Sequence, residues 1–452
     1  MKEILSQQRS YFNSNVTKDV EFRKRMLDSL YLSIKNNANE IYEALKMDLN
    51  KGSEESYLTE IQIVMEEIRT AKKNLNKWAR KEKKITPLVH FPSSSFVYNE
   101  PYGCVLILAP WNYPFQLAMT PLVGAIAGGN CAFIKPSRTS SNVNDVICKI
   151  IKDAFNSEYI YCIPKSVSNE AILEEKYDLI FFTGSENAGK VVMAAASKHL
   201  TPTVLELGGK SPCIIDRTAN LKIAANRIAW GKFLNAGQTC VAPDYVLVHR
   251  DVKEEFITLL TERIRALYGE MIQNDEFVHI ISDNRFNKLL SFINEEDNKI
   301  GGAYDVVTRC IEPTIFTNAS FDDPIMQEEI FGPILPIIEM DSLAGIIDEI
   351  KRRPRPLAVY LFTRKKDVVD KVINSISFGG GCVNDVIMHV ANKNIPFGGV
   401  GSSGMGCYHG KYSYDTFTRK KGVEIAKNYL DLPLRYPPYG EAKMKLIKKI
   451  MK

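Results

Sequence analysis

The 452-residue chain lacks the features that mark membrane-spanning, secreted and metal-bound proteins. No apolar run approaches the roughly 20 residues that cross a bilayer, and the first residues contain no signal-peptide core. The nine cysteines are odd in number, scattered and without a C-x-x-C pair, and the six histidines show no ligand spacing. We therefore expect free thiols, a reducing and cytoplasmic compartment, and neither a disulfide framework nor a metal site.

The chain also lacks a broad basic surface of the kind that binds nucleic acid. Its net charge is +5, but residues 419–452 hold ten Lys/Arg and three Asp/Glu, which is +7 and leaves −2 for the rest. We expect no nucleic-acid partner. In the tail, Met444, Ile447 and Met451 fall on one helical face with lysines elsewhere. This pattern favours weak contact with an anionic membrane surface. The alternative is a solvated tail or a helix packed on a partner subunit.

The order of apolar segments predicts an α/β fold. Residues 17–84 have helical spacing, and residues 89–99 indicate a loop leading into an exposed strand. From Cys104 onward, short apolar runs alternate with helical stretches in two series, before and after Gly209. Strand–helix alternation predicts doubly wound parallel sheets, with ligands at the carboxyl ends of the strands. The predicted active site therefore lies in a cleft between two α/β halves.

Two turns carry residues suited to covalent catalysis. Cys240 follows a helical run in the segment Phe233–Cys240 and precedes a predicted strand, whereas Glu206 lies on the turn 205–210. A thiol can act as the nucleophile, and a carboxylate can activate water as a general base. The alternative for Cys240 is a buried structural cysteine, because free cysteine is among the most buried residue types.

Further polar turns follow predicted strands. Asn112, between two prolines, offers an amide donor for a developing oxyanion, or else an ordinary Asx turn. Lys135, Ser137 and Arg138 follow the next strand and suit ribose or phosphate contacts, or else a helix cap.

Glycine-bearing turns complete the set. Gly184 and Ser185 open a helix and form an anion-binding N-terminus, although the G-x-G-x-x-G dinucleotide fingerprint is absent from the chain. Glu329 and Phe331 could hold a ribose and flank a flat ring, or form an exposed helix end. The loop 396–406 is dense in glycine and predicts a pocket wall.

Taken together and in this order, the motifs resemble those of the aldehyde dehydrogenase superfamily, over about residues 10–440. The resemblance is greatest to the class 3 group of fatty and aromatic aldehyde dehydrogenases. The matching segments are 100–103, 110–114, 205–212, 237–240, 327–333, 384–389, 408–413 and 434–438.

The resemblance implies NAD(P)-dependent oxidation of an aldehyde to a carboxylic acid. Cys240 matches the nucleophile that forms a thiohemiacetal and then a thioester. Glu206 matches the base that activates the hydrolytic water, and Asn112 the oxyanion donor. Cofactor contacts are implied for a further set: Lys135 and Ser137 at the adenosine ribose, Gly184 and Ser185 at the pyrophosphate, and Glu329 and Phe331 at the nicotinamide ribose.

One residue departs from the family pattern. Arg138 stands where a glutamate usually binds the adenosine ribose and repels a 2′-phosphate. Arginine removes that repulsion and can pair with phosphate, so we expect NADP to be accepted. The alternative is that Arg138 points to solvent and NAD dominates.

The resemblance also implies an organisation and a substrate class. We expect an NAD(P)-binding domain from residues 1–84 and 100–207, a catalytic domain over 208–404, and an oligomerisation arm from 85–99 with 405–452. Strand pairing between 89–99 and 414–425 would bridge a homodimer. Expected substrates are medium- or long-chain aliphatic or aromatic aldehydes. The rival functions are a CoA-acylating dehydrogenase, a thiol hydrolase and a non-catalytic binding protein of this fold.

Overall fold

The computed structural model describes residues 1–269 and 277–451. Its α-helices are α1 Lys2–Asn13, α2 Val20–Asn36, α3 Ala38–Leu49, α4 Ser53–Ser56, α5 Gln62–Trp78, α6 Gln116–Gly128, α7 Ser141–Ala154, α8 Asn169–Leu173, α9 Glu186–Ser197, α10 Leu221–Phe233, α11 Lys253–Tyr268, α12 Asp283–Glu295, α13 Leu343–Lys351, α14 Lys366–Ser375, α15 Lys411–Thr416 and α16 Glu441–Ile450. A π-turn, Tyr57–Ile61, joins α4 to α5.

The strands are β1 Glu82–Lys84, β2 Ser94–Pro101, β3 Cys104–Leu108, β4 Cys131–Lys135, β5 Ile160–Cys162, β6 Leu179–Thr183, β7 Thr203–Glu206, β8 Pro212–Ile215, β9 Tyr245–His249, β10 Lys299–Ile300, β11 Tyr304–Asp305, β12 Cys310–Ile311, β13 Thr314–Phe316, β14 Ile334–Met340, β15 Ala358–Phe362, β16 Gly380–Val383, β17 Gly404–Met405 and β18 Thr418–Ile425.

The first α/β layer is a six-stranded sheet in the order β17-β7-β6-β3-β4-β5. Its strands are parallel except for β17, which pairs antiparallel with β7. Strands β3 and β4 are buried along their whole length, and so is helix α6 beside them. Strands buried on both faces read as continuous apolar runs, so the predicted strands of this half are confirmed to within one residue at each end.

The second layer is a seven-stranded sheet in the order β10-β13-β14-β9-β8-β15-β16. Only β10 runs antiparallel to its neighbour. The observed strands β8 and β9 coincide with the predicted ones, and β14 and β15 differ by one or two residues at their ends. The α/β fold with doubly wound parallel sheets is therefore confirmed.

A small antiparallel sheet, β1-β2-β18, stands apart from these two layers. Strand β2 pairs with β18 over its whole length, from Pro101 opposite Thr418 to Ser94 opposite Ile425. The predicted pairing of a strand near 89–99 with residues near 414–425 is thus present, with both strands slightly shifted.

Two sequence predictions are wrong. The helical prediction for residues 17–84 holds from α2 to α5 but fails at its end, where Glu82–Lys84 form a strand. It also omits helix α1, which begins at Lys2. Cys148 and Cys162 form a disulfide, so the expectation of free thiols fails for this pair. Helix α7 packs on β5 and brings their Cα atoms within 5.2 Å, a proximity that their spacing in the sequence does not reveal.

None of the residues of the C-terminal helix α16 is fully buried. Among the described residues, no helix combines the length and the apolar content that crossing a bilayer requires.

Candidate active site

The predicted site turns converge at one edge of the six-stranded sheet. Strand β3 lies between β6 and β4, so the chain order reverses beside β3. Ligands of open α/β sheets bind at such a reversal, outside the carboxyl ends of the strands. Asn112 follows β3, Gly184 follows β6, and Glu206 ends β7. These three strand ends open into one cavity of about 260 Å³, and the catalytic half contributes Cys240, Glu329 and Phe331 to its wall.

The Cys240 loop has an unusual backbone. Asn235 and Ala236 adopt left-handed conformations, with φ of 53° and 50°, and Gly237 continues the turn with φ of 72°. The Gln238 side chain fastens this loop, since its Nε2 donates to the Asn235 and His279 carbonyls and its Oε1 accepts from the Ile281 N–H. Strained backbone of this kind persists only where the surroundings hold it.

The Cys240 thiol is half-buried at the cavity wall. Burial raises its pKa to about 12, and the nearby carboxyls of Glu329 and Glu206 add to the shift. Attack on a carbonyl needs the thiolate, and these surroundings favour the protonated thiol.

Glu206 faces the same cavity. Its carboxyl is buried, and neither oxygen has a hydrogen-bond partner among the described residues. Burial raises the pKa of Glu206 well above its usual range. A carboxylate with a raised pKa is a stronger base, and two unpartnered oxygens leave it free to bind a water or a proton.

Asn112 lies in the wall beside the cysteine loop. Its Nδ2 donates a hydrogen bond of 3.0 Å to the carbonyl of Gln238, and the side chain is 3% exposed. An amide carries two N–H groups, so this bond uses one donor and leaves a second. The structure therefore fixes the Asn112 amide to the loop that carries the thiol.

Glu329 and Phe331 enter the cavity from the opposite wall. The Phe331 ring packs edge-on against Trp111, with ring centres 5.3 Å apart. A Cβ on Gly208 would collide with the Glu329 carboxyl, so this carboxyl lies directly over the backbone that follows Glu206. Burial, with the neighbouring Asp244, raises the pKa of Glu329 to about 8.

The three predicted cofactor residues at and just after the end of β4 do not line this cavity. Lys135 is buried and donates 2.7 Å to the carbonyl of Pro164, and burial, with the nearby Arg138 charge, lowers its pKa to about 8. Arg138 is exposed and donates 2.7 Å to the carbonyl of Val167. Ser137 accepts from the Thr139 N–H. These residues form a separate group at the next strand end, joined to the segment 164–167.

The strand ends fit a dinucleotide that runs along this edge. Ser185 caps helix α9 and is exposed, so the helix start is accessible to a diphosphate. This start lines the cavity together with Cys240, while Lys135 and Arg138 lie at the neighbouring strand end. Glu206, Trp111 and Phe331 line the same cavity as this helix start.

Residues 2–423 match the model of the aldehyde dehydrogenase family. The chain belongs to this family. It is 48% identical to 4,4'-diaponeurosporen-aldehyde dehydrogenase of Staphylococcus aureus, over 98% of this chain and 97% of that protein. It is 41% identical to the mouse aldehyde dehydrogenase named dimeric NADP-preferring, over 98% and 99% of the two chains. A solved structure described as the substrate-bound state of Staphylococcus aureus AldH superposes with a TM-score of 0.97 at 47% identity, covering 100% of this chain and 99% of that one.

Family membership settles the class of reaction. The chain is an NAD(P)-dependent oxidoreductase that acts on aldehydes. The predicted resemblance and the predicted enzyme class are both confirmed.

Further residues to which the sequence patterns assign no role also line the cavity. Trp111, Leu117 and Tyr408 line it, and Arg285 reaches it from α12, where its guanidinium donates 2.6 Å to the carbonyl of Glu329. Arg285 follows a serine-capped helix start, a position that is usually exposed. The loop 396–406 does supply a pocket wall, through Phe397.

Proposed function

We propose that the chain oxidises apolar medium- or long-chain aliphatic or aromatic aldehydes through a covalent intermediate on Cys240. The observation that carries this proposal is the unpartnered, buried Glu206 carboxyl, which shares a cavity with the Cys240 thiol. The relative from Staphylococcus aureus is named for a diaponeurosporen aldehyde. The side chains of Trp111, Leu117 and Phe397 give the cavity an apolar wall consistent with substrates of this class.

Acylation begins when the Cys240 thiol passes its proton to a water in the cavity, which carries it to solvent. The thiolate sulfur bonds to the carbonyl carbon, and the carbonyl oxygen becomes an oxyanion. The Cys240 N–H and the second N–H of Asn112 donate to this oxygen, which stabilises the developing charge by about 3–4 kcal/mol for a well-placed donor. A bound NAD(P), held by Glu329, Phe331 and the start of α9, would supply the acceptor for the hydride that leaves the substrate carbon. The oxyanion then re-forms a carbonyl, and a thioester remains on Cys240.

Deacylation uses Glu206. Its carboxylate removes a proton from water, the water oxygen bonds to the thioester carbon, and the carbon–sulfur bond breaks. The acid leaves, and the Cys240 thiolate is restored. A CoA-acylating enzyme transfers its thioester to a thiol and needs no water-activating base, so Glu206 favours hydrolysis over that alternative. A thiol hydrolase that works without cofactor does not account for the family's hydride chemistry.

NADP acceptance is proposed from the group at the end of β4. Arg138 is exposed and bound to a backbone carbonyl, beside buried Lys135, so a 2′-phosphate would meet two cations. The mouse relative is named NADP-preferring. We expect Arg138→Glu to lower kcat/KM for NADP at least tenfold while leaving that for NAD within threefold. A strong preference of the unmodified enzyme for NAD would contradict the proposal.

The homodimer and the domain division stay predictions. The arm between β1 and β2 exposes Ile85, Leu88 and Phe91, with Ile85 96% exposed, a surface suited to a second copy of the chain. Light scattering should show a dimer that Leu88→Glu with Phe91→Glu dissociates, whereas Val307→Glu, at an equally exposed apolar position elsewhere, should not. A monomeric parent protein would refute the dimer. We propose the domain boundaries from the family resemblance. They are 1–84 with 100–207 for the NAD(P)-binding domain, 208–404 for the catalytic domain, and 85–99 with 405–452 for the oligomerisation arm and tail.

Membrane contact through the tail is likewise a proposal. Helix α16 exposes Leu446, Ile450 and the following Met451 among lysines. Removal of residues 441–452 should reduce co-sedimentation with anionic liposomes, and equal sedimentation of both proteins would contradict the contact. A cytoplasmic location is proposed with it, at the inner face of such a membrane.

The catalytic proposal is tested with a panel of aldehydes of increasing chain length and aromatic aldehydes. Formation of NAD(P)H should disappear in Cys240→Ala and persist in Cys382→Ala, whose half-buried thiol lies away from the cavity. Turnover by Cys240→Ala would overturn the assigned nucleophile. A preference for short hydrophilic aldehydes would overturn the substrate class.

A further inference from the structure

Behind the active site, two carboxylates from one short segment reach both catalytic loops. The segment runs from Lys51 through α4 and the π-turn, and it carries Glu55 and Glu60. In a regular α-helix, residues five apart point about 140° away from each other. The π-turn winds more slowly, with hydrogen bonds between residues five apart, which brings the two carboxylates toward the same side.

Glu60 holds the loop that contains Asn112. Its side chain is fully buried, and one carboxylate oxygen accepts from the N–H groups of Phe115 and Gln116 at 3.1 and 2.9 Å. These groups open helix α6 and have no partner within the helix. The other oxygen pairs with the buried ammonium of Lys51 at 2.8 Å. Lys51 also lies 4.4 Å from the ring centre of Tyr113, which is the residue after Asn112.

Glu55 holds the loop that carries Cys240. Its carboxylate accepts the N–H of Asn235 at 3.0 Å, at the first of the two left-handed residues. Left-handed conformations of this kind cost of order 1–3 kcal/mol each. Asn235 is also the link between the two loops, because its Nδ2 donates to the carbonyls of Asn112 at 2.9 Å and Gln238 at 3.1 Å.

We propose that Glu55 and Glu60 form a two-point clamp that positions Asn112 against the Cys240 loop, so that both oxyanion donors meet the same oxygen. The clamp rests on the catalytic function proposed above. Neither carboxylate lines the cavity, so both act as positioning residues. Displacing a catalytic group by about 1 Å costs about 100-fold in rate, which is the scale on which loss of the clamp should act.

A positioning role and a purely structural role predict different kinetics. A structural role changes unfolding stability and the amount of active enzyme, but not the rate constant of the molecules that remain folded. A positioning role slows formation of the thioester in fully folded enzyme. The Asn235 N–H needs a hydrogen-bond acceptor at residue 55, and it does not need a negative charge there.

The experiment uses the full chain with Glu206→Gln, in which hydrolysis is slow and the first turnover appears as a burst of NAD(P)H. Into this parent we place Glu55→Gln, which keeps a carbonyl acceptor, or Glu55→Met, which keeps the length and removes it. Glu54→Met, at the exposed neighbouring position, is the matched control. Circular dichroism and thermal unfolding report the folded fraction of each variant.

We expect Glu55→Met to slow the burst rate constant at least tenfold, and Glu55→Gln and Glu54→Met to stay within threefold of the parent, with KM for the cofactor unchanged. Parent-like rates in Glu55→Met, or equal slowing in Glu55→Gln, would overturn the clamp. If Glu55→Met does not fold, Glu55→Asp takes its place, because the shorter side chain keeps the charge but does not reach Asn235; it too must slow the burst.

The same data distinguish failure of the proposed catalytic function from failure of the clamp alone. Absence of a burst in the parent, or a burst that survives Cys240→Ala, overturns the proposed function and the clamp together. A Cys240-dependent burst that is unaffected by Glu55→Met overturns the clamp alone.

Discussion

Gly237→Ala should disable the enzyme through the position of Cys240 rather than through loss of a reacting group. Gly237 has φ of 72°, and a Cβ at this position would meet the backbone carbonyl oxygen of Gly332. The overlap is about 1 Å relative to a normal C···O separation of about 3.3 Å. A backbone oxygen has no rotamer by which to swing away, so one of the two loops must move.

The expected magnitude follows from that overlap. The left-handed backbone costs alanine about 1–2 kcal/mol, and a 1 Å displacement of the thiol costs about 100-fold in rate. We therefore expect kcat/KM for the aldehyde to fall about 100-fold. Alkylation of Cys240 by iodoacetamide, followed by peptide mass spectrometry, should change in rate as well, because the thiol's surroundings change with the loop.

Gly269→Ala provides the matched control. Gly269 also has a positive φ, of 59°, but a Cβ there would have no neighbour within 4 Å. It should lose unfolding free energy as well, because its φ of 59° and ψ of −139° disfavour any side chain, and it should keep wild-type kcat/KM. If Gly237→Ala retains kcat/KM within threefold of wild type while folded, the reasoning that this contact fixes the nucleophile is wrong.

Three further predictions concern the protonation of His409, the number of free thiols, and the contact between Gly208 and the Glu329 carboxyl in the cavity. His409 donates from Nδ1 to the Val390 carbonyl while its buried Nε2 has no partner among the described residues, and burial lowers its pKa to about 4. Between about pH 6.5 and 4, the unfolded state therefore binds a proton on His409 that the folded state does not. The free energy of unfolding falls as the pH drops through this range. At pH 5 the loss from this residue is about 2 kcal/mol. Urea unfolding at pH 7.5 and 5 should show a smaller loss for His409→Gln than for wild type, and equal losses would contradict this. A thiol reagent in denaturant should titrate seven cysteines without reductant and nine after reduction, since Cys148 and Cys162 are bonded and the other seven are free; nine without reduction would refute the disulfide. Gly208→Ala should raise KM for NAD(P) several-fold, because the added methyl displaces the Glu329 carboxyl; an unchanged KM would remove Glu329 from the cofactor wall.

The sequence predicts those parts of the fold that depend on long local patterns. Strands β3 and β4 are five-residue apolar runs buried on both faces, so their periodicity and their flanking turns identify them. Strands β10 and β11 have two residues each, and so short a run has no readable period. Helix α1 was missed because its residues are mostly polar and only Leu5 and Gln8 are buried.

The residues of the candidate site likewise divide into those that local sequence patterns predict and those that depend on tertiary packing. Cys240, Glu206 and Asn112 follow apolar runs at strand or helix ends, where chemistry-bearing side chains are expected. Glu55 and Glu60 belong to a charged helical segment that suggests a solvated face, and only the packing of that segment under α6 buries Glu60. The disulfide and the Arg285 contact likewise depend on tertiary proximity that no local pattern encodes.

In the proposed mechanism an acyl group is held on the Cys240 sulfur and released by Glu206. Mass spectrometry of Glu206→Gln, quenched in acid after mixing with NAD(P) and an apolar aldehyde, detects this intermediate. We expect a mass increase equal to the acyl group, located on the peptide that contains Cys240 and absent in Cys240→Ala. An unmodified Cys240 peptide after a full turnover of NAD(P)H, or steady wild-type turnover by Glu206→Gln, would contradict it.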